Sequence, residues 1–111
     1  MTPFLKRFRT LNAERAQLFS TTSWTTLELA GAMCGEAGEL ANIAKKLRRL
    51  EGGCTVNTGD ADALLSNLAD EAADVLTYLD LICAKHGIDL EAALTKKFNE
   101  VSKRVNYPET L

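Results

Sequence analysis

Two long stretches of this chain repeat their apolar residues at the period of an α-helix, and no stretch alternates at the period of a strand. Residues 24–50 form the first and run into Gly52-Gly53, a pair that stops helices. The second is predicted from a capping Asp60 or Asp62 to His86, with Gly87 as its stop. Residues 51–59 join the two through three glycines, Asn57 and two threonines. A shorter helix is expected over 3–19, where Phe4, Leu5, Phe8, Leu11, Ala16 and Leu18 recur behind Pro3, a residue suited to a first turn. The polar break 20–23 separates it from the long helix that follows. Asp89 can cap a last helix, whose stripe of Leu90, Leu94, Phe98, Val101 and Val105 ends before Pro108. The expected fold is all-α, a four-helix bundle-like arrangement in a single domain over 1–111. A chain this short would gain from oligomerisation, which shields apolar helix faces that one small core leaves open.

Composition narrows the function classes. Hydrophobic residues make up 46% and charged residues 25%, with two prolines, the balance of a folded globular chain rather than a disordered one. The longest uncharged run, 18–27, is rich in Ser and Thr and far from the roughly 20 apolar residues of a membrane span. Lys6, Arg7 and Arg9 are followed by polar sequence, so no secretory leader is read and a cytoplasmic address is expected. A net charge of −2 gives no general attraction to a nucleic acid polymer. Cys34, Cys54 and Cys83 form no CxxC pair and cannot all be matched within the chain, which points to reduced, structural thiols. With His86 as the one histidine, a Cys-based zinc site has little support.

The informative residues are carboxylates placed where apolar side chains belong. A helix turns about 100° per residue, and on that wheel Leu29, Met33, Leu40, Ile43, Leu47 and Leu50 fall within roughly 60° of Glu36. Glu39 stands at the edge of the same stripe. In the third helix Leu64, Leu68, Val75, Tyr78 and Ile82 surround Glu71 in the same way, with Asp74 at the edge. Asp62 and Asp80 project to the opposite side, where solvated charges are expected. A carboxylate in an apolar interface costs several kcal/mol, on the order of Born-type penalties after relaxation, unless a partner, a proton or a metal compensates it. One Glu/Asp pair at i, i+3 projects two oxygens from adjacent turns. A second pair on a facing helix completes an oxygen cage for a hard cation, so Glu36, Glu39, Glu71 and Asp74 are the expected ligands of Mg²⁺, with Mn²⁺ as a substitute.

The run Gly35-Glu36-Ala37-Gly38-Glu39-Leu40, followed by Asp70-Glu71-Ala72-Ala73-Asp74-Val75-Leu76, resembles the ExxE and ExxD signature of MazG-like nucleotide pyrophosphohydrolases. The resemblance spans roughly residues 24–104 and takes in Ala32-Met33-Cys34-Gly35-Glu36, the helix end Lys45-Lys46-Leu47-Arg48-Arg49 and Lys97-Phe98-Asn99. It implies an all-α bundle assembled as a homodimer or homotetramer. It also implies cleavage of nucleoside triphosphates between the α and β phosphates, giving monophosphate and pyrophosphate. Many members of the family carry a further Glu directly before the first pair, where this chain has Gly35, which leaves the number of metal ions and the identity of the base open.

Such a reaction needs phosphate charge neutralised and a water held in line. By resemblance, Glu36 or Glu39 orients or deprotonates that water. On the wheel Lys46 lies near the edge marked by Glu39 whereas Lys45 points away, so Lys46 is the expected phosphate contact and Asn42 a contact to sugar or phosphate. Lys97 resembles a family lysine that approaches the phosphates. Trp24 and Tyr78 offer aromatic faces for a base, although a lone Trp at a helix start more often anchors the core. His86 reads as a helix-end residue, and Met33 and the phenylalanines read as core. Rival readings are a helical dimerisation or regulatory module whose carboxylates pair with Lys46, Lys97 or a partner's arginines, and a phosphoribosyl-ATP or dUTP-specific relative. A di-iron carboxylate bundle expects a Glu-x-x-His, which this chain lacks.

Overall fold

The computed structural model describes residues 1–111 and contains four α-helices, two short 3₁₀ turns and no strand. Helix α1, Pro3–Ala16, begins with Pro3 in its first turn and with Thr2 accepting from the Leu5 N–H. Its predicted continuation to residue 19 is a 3₁₀ turn, Gln17–Phe19, followed by Ser20 in a left-handed conformation and a second turn, Thr21–Ser23. Helix α2, Thr26–Glu51, opens on a reciprocal capping box. The Glu28 N–H donates to Thr25 Oγ1 at 3.1 Å, and the Thr25 N–H donates to Glu28 Oε2 at 2.8 Å. Trp24 therefore lies just outside the helix.

Helix α3, Ala61–Lys85, is capped by Asp60, which accepts from the Ala63 N–H at 3.1 Å, while Asp62 occupies the first turn. It ends where Gly87 takes a φ of +64° and the Ile88 N–H reaches the Cys83 carbonyl at 2.8 Å. Helix α4, Leu90–Arg104, is capped by Asp89 as the sequence predicts, the Ala92 N–H donating to Asp89 at 3.0 Å. Its stop is not Pro108. Asn106 turns left-handed at a φ of 58° and the Tyr107 N–H closes on the Ser102 carbonyl at 2.8 Å, so the chain leaves the helix before proline is reached.

The chain divides into two compact units, one of Trp24–Leu79 and one of Met1–Ser23 with Asp80–Leu111. In the first, Leu29, Ile43 and Leu64 are buried, and Met33, Leu40, Leu47, Leu50, Leu68, Val75 and Tyr78 are half-buried. These are the stripe residues the helical wheel picks out. In the second unit Ala16 and Cys83 are buried together with the polar residues Asn12, Thr21, Asp80 and Ser102. The expectation that the phenylalanines are core fails for three of the four. Phe4, Phe19 and Phe98 are exposed, as is most of the apolar stripe of α4, because no layer of the single chain covers them.

Asp80 also departs from its expected solvated position, although Asp62 keeps to it. Asp80 is 3% exposed, with Arg9 Nε donating to it at 2.9 Å and Asn12 Nδ2 at 3.2 Å, both from α1. The wheel placed Asp80 opposite Glu71 correctly, but on that side α1 supplies the buried partners. Arg9 Nη1 also donates to the Ile88 carbonyl at 2.6 Å, tying α1 to the turn after α3, while Nη2 is buried without a partner. The three thiols are free, Cys34 and Cys54 exposed and Cys83 buried, where loss of water pushes the Cys83 thiol pKa up.

Because Arg9 and Asp80 are mostly enclosed, Arg9→Ala leaves an uncompensated buried carboxylate and is expected to cost about 3–5 kcal/mol of unfolding free energy. Urea unfolding at neutral pH measures it. A loss below about 1 kcal/mol would reduce the pair to the standing of a surface ion pair.

Candidate metal centre

Glu36 and Glu39 stand one turn apart on α2, and Glu71 and Asp74 one turn apart on α3, all within the Trp24–Leu79 unit. The structure brings Glu36, Glu71 and Asp74 together, with one carboxylate oxygen from each lying within 4.8 Å of the others. Glu36 and Glu71 are half-buried and Asp74 is exposed. Glu39 is exposed and faces Glu71 closely enough to raise its pKa. The pKa of Glu71 is pushed up from 4.5 to about 7, first by loss of water and then by the carboxylates of Glu39 and Glu36. Its Oε2 is buried and has no hydrogen-bond partner.

In the octahedral shell of Mg²⁺, with bonds of about 2.0–2.1 Å, adjacent oxygens lie about 2.9 Å apart and only an opposite pair reaches about 4.2 Å, so the three carboxylates must draw together to share one ion. An all-oxygen donor set with an orphaned buried oxygen fits a hard divalent cation. The alternative, in which cations of the chain neutralise these groups, is not what is observed. None of the chain's ion pairs involves Glu36, Glu39, Glu71 or Asp74.

The remaining candidates are distributed unevenly. Lys46 is half-buried and Lys45 exposed, the contrast expected from the wheel, and Asn42 is exposed on the same helix. Tyr78, one turn beyond Asp74, is half-buried. Trp24 is half-buried and lines a recess of about 450 Å³ with Glu28 and Ala32. Glu28 went unnoticed in the sequence reading, although Thr25-x-x-Glu28 before an apolar run is a legible capping-box pattern. Lys97 lies in the other unit, 68% exposed, with its Nζ 3.8 Å from Glu100. His86 sits in the turn after α3, as expected for a helix-end residue.

No protein-family model, curated protein or solved structure matches this chain.

The folded chain holds the Glu71 proton more tightly than the unfolded chain does. Its contribution to metal-free stability is therefore full below about pH 4.5, is lost as pH rises to about 7, and stays lost above that. Glu71→Gln, a neutral mimic of the protonated acid, should remove this dependence. Melting temperatures compared between pH 5 and pH 8 without metal should show wild type losing ground to the variant as pH rises, and Mg²⁺ should restore wild type at pH 8 while leaving the variant little changed. Parallel curves for the two proteins would show that Glu71 is not under this strain.

Proposed function

We propose that the chain is a MazG-like nucleotide pyrophosphohydrolase that hydrolyses ribo- or deoxyribonucleoside triphosphates between the α and β phosphates in a Mg²⁺-dependent reaction. The observation that carries this reading is the convergence of Glu36, Glu71 and Asp74 within 4.8 Å with no cation of the chain paired to them. The paired ExxE and ExxD motifs supply the reaction class.

In this reading Glu36, Glu71 and Asp74 hold the metal, with Glu39 beside them. When bound, Mg²⁺ neutralises phosphate charge and stabilises the leaving pyrophosphate. A Glu36 or Glu39 oxygen accepts a hydrogen bond from the attacking water and takes its proton as the water adds to the α phosphorus. The bond from that phosphorus to the bridging oxygen breaks, and the bridging oxygen leaves with the pyrophosphate. Lys46 offers three N–H donors to phosphate oxygens, and Asn42 an amide to a phosphate or sugar hydroxyl. The half-buried rings of Trp24 and Tyr78 provide faces on which a nucleobase can stack.

The assembled protein in this proposal is a cytoplasmic homodimer or homotetramer. The support is the apolar surface the single chain leaves open, including Leu27 at 81%, Leu65 at 53% and Phe98 at 39% exposure. No helix is long and apolar enough to cross a membrane.

Pyrophosphate release from a panel of ribo- and deoxyribonucleoside triphosphates, measured with and without Mg²⁺, tests the reaction. Metal-dependent release is expected, and Glu36→Gln and Glu71→Gln should each lower kcat by roughly a hundredfold or more while the protein stays folded. Absence of release from a folded sample at millimolar Mg²⁺ would favour a binding or regulatory module instead.

A further inference from the structure

The recess at the start of α2 contains one aromatic ring, one small apolar side chain and one carboxylate: Trp24, Ala32 and Glu28. It is a shallow, widely open depression of about 450 Å³ whose aromatic wall offers a face for a planar group. Glu28, Ala32 and Glu36 follow one another at four-residue intervals, so they share one ridge of the helix. Glu28 stands about 12 Å along the axis from Glu36, at 1.5 Å per residue. A nucleotide whose phosphates lie at Glu36 and whose chain extends toward the helix start therefore brings its base toward this recess.

The capping box accounts for only half of the Glu28 carboxylate. Oε2 accepts the Thr25 N–H at 2.8 Å, and the Glu28 N–H is held by Thr25 Oγ1 at 3.1 Å, which fixes the side chain at the recess. Oε1 has no part in the cap. A carboxylate oxygen accepts hydrogen bonds and does not donate them. It can therefore bond the exocyclic amino group of cytosine, adenine or guanine, whereas uracil and thymine offer only the ring N3–H, a donor flanked on both sides by carbonyl oxygens that the carboxylate repels.

We propose that this recess is the base subsite and that Glu28 selects nucleotides with an amino-bearing base over those of uracil or thymine. The inference rests on the pyrophosphohydrolase reading for the direction in which the nucleotide lies, but its test has a readout independent of turnover. Trp24 is the only tryptophan, so its fluorescence reports occupancy of the recess directly. Titration with CMP, AMP, UMP and TMP in the absence of metal should quench that emission with CMP and AMP at concentrations on the order of tenfold below those needed for UMP and TMP, the effect of one charge-assisted hydrogen bond.

Glu28→Gln separates recognition from structure, because glutamine at this position preserves the capping box yet presents an N–H₂ beside its carbonyl. The variant should melt with the wild type and bind the four monophosphates within about twofold of one another. Equal binding by the wild type, no quenching by any of them, or a preference that survives Glu28→Gln would overturn the proposal. The two readings fail separately. If the fluorescence preference holds while no triphosphate is hydrolysed, the reaction assignment falls and the subsite stands. If CTP and UTP are hydrolysed with equal kcat/KM, the subsite assignment falls and the reaction stands.

Discussion

Glu71 shares its surroundings with two other carboxylates that repel its charge, on an apolar helix face that offers little water to screen them. In most helices such residues face solvent, where the repulsion is diluted. Here the positions are fixed by local signals on either side. The Thr25–Glu28 capping box and Gly52 bracket α2, and Asp60 and Gly87 bracket α3. Burial of Leu29, Ile43 and Leu64 then holds the apolar faces, and the i, i+3 spacing of each pair fixes how the carboxylates project. The stabilising contacts in this unit are thus apolar and local, while its most conspicuous electrostatic interaction is unfavourable. A proton on Glu71 relieves it in part, and a divalent cation would relieve it more fully.

Much of this is legible in the sequence. Helix number, the cap at Asp89, a cap at Asp60 or Asp62 and the inward stripes follow from residue type and period, because those rules act over a few residues and need no knowledge of tertiary neighbours. The i, i+3 spacing of Glu36 with Glu39 and of Glu71 with Asp74, and the place of each pair on its stripe, were legible for the same reason, whereas the approach of α2 to α3 that brings Glu36, Glu71 and Asp74 together is a tertiary contact. What could not be read depended on non-local contacts. Asp80 looked solvated because its own helix places it opposite Glu71, and nothing in residues near it shows that Arg9 and Asn12, some seventy positions earlier, enclose it. Phe4, Phe19 and Phe98 looked buried because apolarity states a preference for burial without guaranteeing a layer to provide it. The capping role of Glu28 was legible in Thr25-x-x-Glu28, but its place beside Trp24 in a surface depression was not.

The correction at Asp80 sharpens the meaning of Glu71. Both acids lie on α3, both have lost water, and both sit against other polar side chains, yet their surroundings differ in sign. Asp80 faces a guanidinium and an amide, with Arg9 Nε at 2.9 Å and Asn12 Nδ2 at 3.2 Å. This is what a structural buried carboxylate requires: an opposite charge and donors aimed at its lone pairs. Glu71 faces Glu36 and Glu39 and keeps a buried oxygen without a donor. If the chain's own packing were the whole reason for Glu71, a lysine, an arginine or an apolar residue nearby would stabilise the fold better, and the arrangement at Asp80 is evidence that this fold accommodates such a partner. The absence of one where three carboxylates converge makes the cluster a place where stability is given up. In the proposed reading a divalent cation supplies the missing positive charge and removes that repulsion.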